Sequence, residues 1–182
     1  DAAKALRARV ALYTGEKTLA KELAESLIAD ARYGLDSYEK IFRGATNKEV
    51  IFAFSCLTIE SKIAISTLFY SYNHPNSGSY VYAPSKEVMT MFADTDNRKD
   101  ISITTMDNLN FINKYPSGQK GTDPVIISRL GEMYLISAEA QGLSNGLPRL
   151  NELRAFRGLP AIYPSTEAEF IDAVLDERRH EL

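Results

Sequence analysis

At 182 residues the chain is long enough for one domain, burying roughly 70% of its unfolded surface. A formal net charge of −3 and a pI near 5.5 argue against a nucleic-acid partner, which would favour a basic stripe. No apolar run approaches the ~18 residues of a membrane span, and no basic start followed by an apolar stretch marks a signal peptide.

Residues 2–14 read as an Ala-rich helix with Leu6, Val10 and Tyr13 on one face, stopped by Gly15. Residues 18–31 read as a second helix burying Leu19, Leu23, Leu27 and Ile28. Together they predict an antiparallel helical hairpin in which the small Ala20 and Ala24 let the axes approach closely. From about 44 to 124 the texture changes. Alternation over Lys48–Cys56 predicts a short strand, and Cys56, with no second cysteine to pair with, reads as a buried core thiol. Residues 70–82, YSYNHPNSGSYVY, read as a loop. A short helix after Pro84 carries Val88, Met91 and Phe92, and the turn-forming run Asp94–Arg98 ends it. The runs ISITT and LNFINKY flank Met106-Asp107-Asn108 and predict a β hairpin.

The stretch Pro124–Gln141 is apolar nearly all round, which marks a buried helix. Leu130, Met133, Tyr134, Ala138 and Gln141 recur at helical spacing, and Ile127 extends that stripe by one turn. The same stretch carries Arg129, Glu132 and Glu139, and a charge inside a core needs a partner. Residues 147–160 and 170–182 supply both signs, so Arg129, Glu132, Glu139, Arg154, Glu177 and Arg178 are expected to form a buried ion-pair network. Pro148 would sit in the first turn of a helix over 147–157, with Gly158 just past its end. Thr166 and Glu169 have the spacing of a capping box opening a last helix that buries Phe170, Ile171, Val174 and Leu175.

Motifs for chemistry are sparse. Glu132 and Glu139 share a helical face, but their apolar neighbours and nearby arginines favour structural pairing over the acid/base work of glycoside hydrolysis. His74 and His180 are far apart, HEL lacks the second histidine of H-E-x-x-H, and Asp94, Asp96 and Asp100 lack the Gly and Glu of a calcium loop. No catalytic residue, metal site or cofactor is therefore assigned. Recognition chemistry concentrates in the aromatic loop. Tyr70, Tyr72, Asn73, Tyr80 and Tyr82 offer flat faces for the C–H surfaces of sugar rings and polar groups for their hydroxyls, with Tyr72 and Tyr80 the leading stacking faces. The opposing reading packs some of these tyrosines inward.

Three strings in order carry a family resemblance: P-x-x-x-x-R-x-x-E-x-Y-L-x-x-A-E-A from Pro124, L-N-E-L-R-A-x-R-G-L-P from Leu150, and L-D-E-R-R-x-E-L from Leu175. Their residues include Arg129, Glu132, Tyr134, Glu139, Asn151, Arg154, Arg157, Gly158, Glu177, Arg178, Arg179 and Glu181. The pattern resembles the C-terminal half of the SusD/RagB family, and the first two helices resemble that family's tetratricopeptide-like helices. The resemblance implies a non-catalytic, surface-exposed outer-membrane lipoprotein that binds an oligosaccharide or other nutrient. It implies import through a partner TonB-dependent, SusC-like transporter and a lipid anchor outside this chain. Both ends of the chain read as cut relative to the family. The expected fold is mainly α: tetratricopeptide-like helical hairpins packed together, with long loops and a small β hairpin inserted. A single SusD-like domain over 1–182 would comprise a helical hairpin (1–43), a loop-rich insert (44–124) and a helical core (125–182). The alternative is a tetratricopeptide-like scaffold that binds a peptide or protein partner in a helix-lined groove.

Overall fold

The computed structural model describes residues 1–43, 46–57, 59 and 65–182. In chain order its elements are α1 (Ala2–Tyr13), α2 (Lys17–Ile28), α3 (Tyr38–Arg43), β1 (Val50–Phe54), α4 (Lys86–Thr90), α5 (Lys99–Ser102), β2 (Ile103–Met106), β3 (Leu109–Ile112), β4 (Val125–Arg129), α6 (Leu130–Phe156) and α7 (Glu167–Glu181). They form a mainly α fold with two small two-stranded sheets, β1–β4 and β2–β3. The chain divides into two compact units. One unit gathers Asp1–Asp36, Asn47–Phe52 and Ile126–Leu182, and the other Ser37–Thr46 and Ala53–Val125. The expected boundary at residue 44 itself lies outside the described residues.

The first unit is helical. α1 and α2 form the expected hairpin, closed at Gly15 (φ 83), where Glu16 N–H donates to Ala11 O at 2.8 Å. Its buried face differs from the one expected. Leu6, Val10 and Tyr13 are exposed, while Ala5, Ala8 and Ala11 are buried with Leu12. Across the seam Ala20, Ala24 and Leu27 are fully enclosed, so close approach of the axes, available only to small side chains, decides which face turns inward.

A second correction concerns Pro124–Gln141. Residues Val125–Arg129 form strand β4, paired with β1, and the helix starts only at Leu130, so Ile127 is not a turn of it. The β-branched run Val125-Ile126-Ile127 suits a strand. From Leu130 to Ala138 every residue is buried. The helical path then breaks at Gly142 (φ 69, ψ −178), a conformation available to glycine, and resumes with Leu143, whose N–H donates to Glu167 Oε2 at 2.9 Å. Pro148 therefore lies beyond the first turn of the second arm. That arm ends as expected at Gly158 (φ 81), with Leu159 N–H on Arg154 O and Gly158 N–H on Ala155 O.

Thr166 caps α7, its hydroxyl accepting Glu169 N–H at 3.2 Å, while the Glu169 carboxylate accepts Ser165 N–H instead of closing the box on Thr166. The inward face of α7 runs Phe170, Val174, Glu177, Glu181. Leu175, expected inside, is exposed, because the last two turns bury carboxylates where the first two bury hydrocarbon.

In the second unit β2 and β3 pair antiparallel with Met106 opposite Leu109. Asp107 (φ 51) and Asn108 (φ 61) form the tight turn, both left-handed as such a two-residue hairpin requires. Ser85 caps α4 through Val88 N–H. Arg98, fully buried, lies on Asp96 through two side-chain hydrogen bonds of 2.9 and 2.7 Å. Cys56 is a buried free thiol.

Candidate functional site

The six charges expected as one network occupy several seams of the helical unit. Glu139 meets Arg178 at 2.8 Å and Arg154 meets Glu177 at 2.7 Å, both between α6 and α7. Glu132 is clasped by Arg9 of α1 through two bonds of 2.6 and 2.7 Å, and Arg9 also donates to Ile127 O. Arg129 belongs to a separate buried cluster with Glu49, Arg157 and Glu181. There Arg157 reaches Glu49 at 2.5 Å and Glu181 at 2.8 Å, and donates to Asp36 O, while Arg129 donates to the carboxylate and carbonyl of Glu181. Burial pushes the Glu49 carboxyl above the usual range, opposed by the Arg157 and Arg129 guanidiniums.

Sequence spacing did not identify Arg9, Glu49, Arg157 or Glu181 as members of these pairs. For Glu181 a signal existed, since it falls seven residues after Val174 on the buried stripe of α7. A further pair joins α2 to α6: Arg149 meets Glu25 at 2.7 Å and holds its carboxyl below the usual range, while Ser137 donates to the same group. Tyr134 donates to Glu152, and burial with that carboxylate pushes its phenol up to about 12. These charges are paired within the fold, which is structural work.

The aromatic loop divides by depth. Tyr70, named from sequence as a ligand face, has no exposed surface. Its ring stacks on Phe111 at 5.8 Å, its hydroxyl donates to Asn113 Oδ1 at 2.7 Å, and burial raises its pKa. Tyr80 is half-buried at φ 48, its ring 5.3 Å from Phe111 and its hydroxyl donating to Asn110 O. Tyr70 is therefore corrected to a core role, because β3 places Phe111 as a hub that draws rings inward, while Tyr80 stands at half depth with its hydroxyl on the β3 backbone. Tyr72 is 83% exposed, Asn73 beside it is exposed, and Tyr82 is 59% exposed with its ring centroid 6.3 Å from that of Phe69. Residues 79–82 run back along 67–70, with Ser79, Tyr80 and Tyr82 N–H groups donating to Thr67, Tyr70 and Leu68 carbonyls. The outward tyrosines thus stand on a loop with its own backbone hydrogen bonds.

The next segment of this loop lines a cavity of about 480 Å³ with residues 116–122. Asn76, Ser77, Ser117, Gln119, Lys120 and Thr122 contribute to its wall. Gln119 Nε2 donates to Ser77 O at 2.9 Å, and Gly118 N–H donates to Ser66 Oγ at 2.8 Å. Gly118 (φ 60) admits this closeness, since a Cβ there would stand 2.6 Å from Asn76 O. Among the described residues no group of His, Cys, Asp and Glu is placed to hold a metal ion.

Residues 108–182 match the SusD family. Among curated proteins none matches. The chain superposes on surface glycan-binding protein A from Bacteroides uniformis with a TM-score of 0.81 and 20% identity, over 98% of this chain and 46% of that one. A SusD superfamily protein from Bacteroides vulgatus ATCC 8482 is 27% identical with a TM-score of 0.75, over 100% of this chain and 45% of that one. Surface glycan-binding protein A from Bacteroides thetaiotaomicron in complex with laminarihexaose gives a TM-score of 0.76 at 19% identity, over 98% and 51%. The chain spans about half the length of these solved relatives. Residues 108–182 thus resemble the SusD family, and the chain as a whole shares its fold with SusD-like proteins.

Proposed function

We propose that this chain captures an oligosaccharide, without acting on it chemically, at the outer-membrane surface as part of a SusD-like lipoprotein that passes its ligand to a TonB-dependent transporter. The observation that carries the reading is the exposure of Tyr72 on a hydrogen-bonded loop, beside Asn73 and in the same segment as Tyr82. A tyrosine face matches the C–H surface of a pyranose, and its two side-chain rotors lose little entropy on binding. The laminarihexaose complex of a relative with the same fold supports a glycan as the ligand class.

Calorimetric titration with neutral and acidic oligosaccharides tests the proposal on the whole chain and on Tyr72→Ala and Tyr82→Ala. Each substitution should weaken binding by about 1–3 kcal/mol, by analogy with base–aromatic stacking. Unchanged affinity in both variants removes the site from this loop. Failure of the intact chain to bind any glycan favours the helical scaffold that binds a peptide or protein.

A further inference from the structure

The cavity between residues 75–77 and 116–122 has a chemistry that the exposed tyrosines do not share. Its wall offers two carboxamides, Asn76 and Gln119, and the hydroxyls of Ser77 and Thr122, while the Ser117 hydroxyl is already engaged by Asp123 and Thr122 N–H. Carboxamides donate and accept, hydroxyls do both through one atom, and together they suit the mixed demands of a sugar's hydroxyls. Pro75 and Pro116 add apolar ring surface. A volume of about 480 Å³ lies within the range of small-ligand sites.

The wall also has a net charge. Lys120 is exposed, and no ion pair engages it among the described residues. Among the described residues no aspartate or glutamate lines the cavity. The carboxylate that follows closely in sequence, Asp123, is buried and turned to Ser117, accepting its N–H at 3.1 Å and its hydroxyl at 2.5 Å. The Lys120 ammonium is therefore uncompensated on a wall otherwise made for sugar hydroxyls.

We propose that this cavity is a subsite for an anionic sugar unit, with Lys120 binding its carboxylate or sulfate and the carboxamides and hydroxyls holding the ring. A charge-assisted hydrogen bond from an ammonium is about twice as strong as a neutral one, so the subsite selects charged units over neutral ones of the same shape. The cross-loop bond from Gln119 to Ser77 and the close backbone approach at Gly118 fix the wall before a ligand arrives. The selection rests on the glycan-binding reading above and adds the class of glycan.

The test compares hexagalacturonate with its methyl-esterified form, which keeps the backbone and removes the charge, alongside a sulfated chondroitin hexasaccharide and laminarihexaose. Binding to the whole chain is measured at low and high salt, with Lys120→Gln and Lys120→Arg variants. At low salt a charged hexasaccharide should bind about tenfold tighter than its neutral counterpart, and the preference should shrink as salt rises. Lys120→Gln should remove that preference, and Lys120→Arg should retain it. The galacturonate and chondroitin arms show which anion is read. Equal affinity for charged and neutral forms, or an undiminished preference in Lys120→Gln, overturns the subsite and leaves glycan binding standing. No binding of any of the four overturns both readings.

Discussion

In the helical unit the seams carry charged pairs, Arg9–Glu132 between α1 and α6, Glu25–Arg149 between α2 and α6, and Arg154–Glu177 and Glu139–Arg178 between α6 and α7. In the loop-rich unit rings do the corresponding work: Tyr70, His74 and Tyr80 surround Phe111, while Tyr115 lies against Phe42 and Phe69. The difference follows from what each unit must specify. Helices that meet through alanine faces have few large side chains to fix how far one slides along another. A charged pair penalises a slip, because sliding separates an ion from its partner at a seam where both are at least partly buried. Loops instead need anchors that tolerate irregular backbone, and an aromatic ring gives a large buried area with few rotors. The outward positions on such a loop are then free to carry recognition.

The largest effect should come from breaking the buried four-charge cluster. Arg157→Ala leaves Arg129 alone to balance the buried Glu49 and Glu181 and should cost about 3–5 kcal/mol in urea unfolding. A variant within about 1 kcal/mol of the parent would show that charge does not organise this unit. In the other unit Gly118→Ala forces a Cβ toward Asn76 O at positive φ and should cost about 1–3 kcal/mol. Hydrogen exchange should show faster amide exchange confined to residues near 75–77 and 117–122, and a global change would mean that the unit does not hold itself together locally. Thr166→Ala tests a neutral bond within the charged unit and should cost about 0.5–2 kcal/mol in thermal unfolding, less than the loss of Arg157.

A smaller effect should appear on the acid side. Arg149 depresses the folded-state pKa of Glu25, so the pair's contribution is present above the usual carboxylate range and is lost as pH falls through the folded value. Acidification from about pH 5 to 3 should therefore destabilise the parent more than Arg149→Met. Parallel pH profiles for the two proteins would remove Glu25 from the set of stabilising pairs.

The helical hairpins were legible because periodicity and glycine stops are local. Which face of α1 turns inward was not, because the pattern favours the larger Leu6, Val10 and Tyr13 while the packing selects Ala5, Ala8 and Ala11. Strand β4 was hidden by a helical period that fits through it, although Val125-Ile126-Ile127 carried the β-branched signal. Arg154 with Glu177 and Glu139 with Arg178 were legible as members of a paired set since they share two helices. The partner of Glu132 lies 123 residues away in sequence, beyond any spacing argument. The tyrosines of the loop look alike in sequence, and only the position of Phe111 on a distant strand separates the inward Tyr70 from the outward Tyr72.

The cluster of Glu49, Arg129, Arg157 and Glu181 has a consequence for how such a protein diversifies. Glu49 stands just before the chain leaves the helical unit at Phe52, and Arg129 stands just after it returns at Ile126. The two are 3.7 Å apart, and Leu130 N–H donates to Glu49 O at 2.8 Å, so the exit and the re-entry are clasped together. Everything between them is, to the host helices, a loop whose ends are already closed. The entropic toll of lengthening a closed loop rises only with the logarithm of its length, by about 0.6 kcal/mol for each doubling. The intervening segment can therefore be exchanged, extended or trimmed at small entropic cost to the helices that the clasp joins.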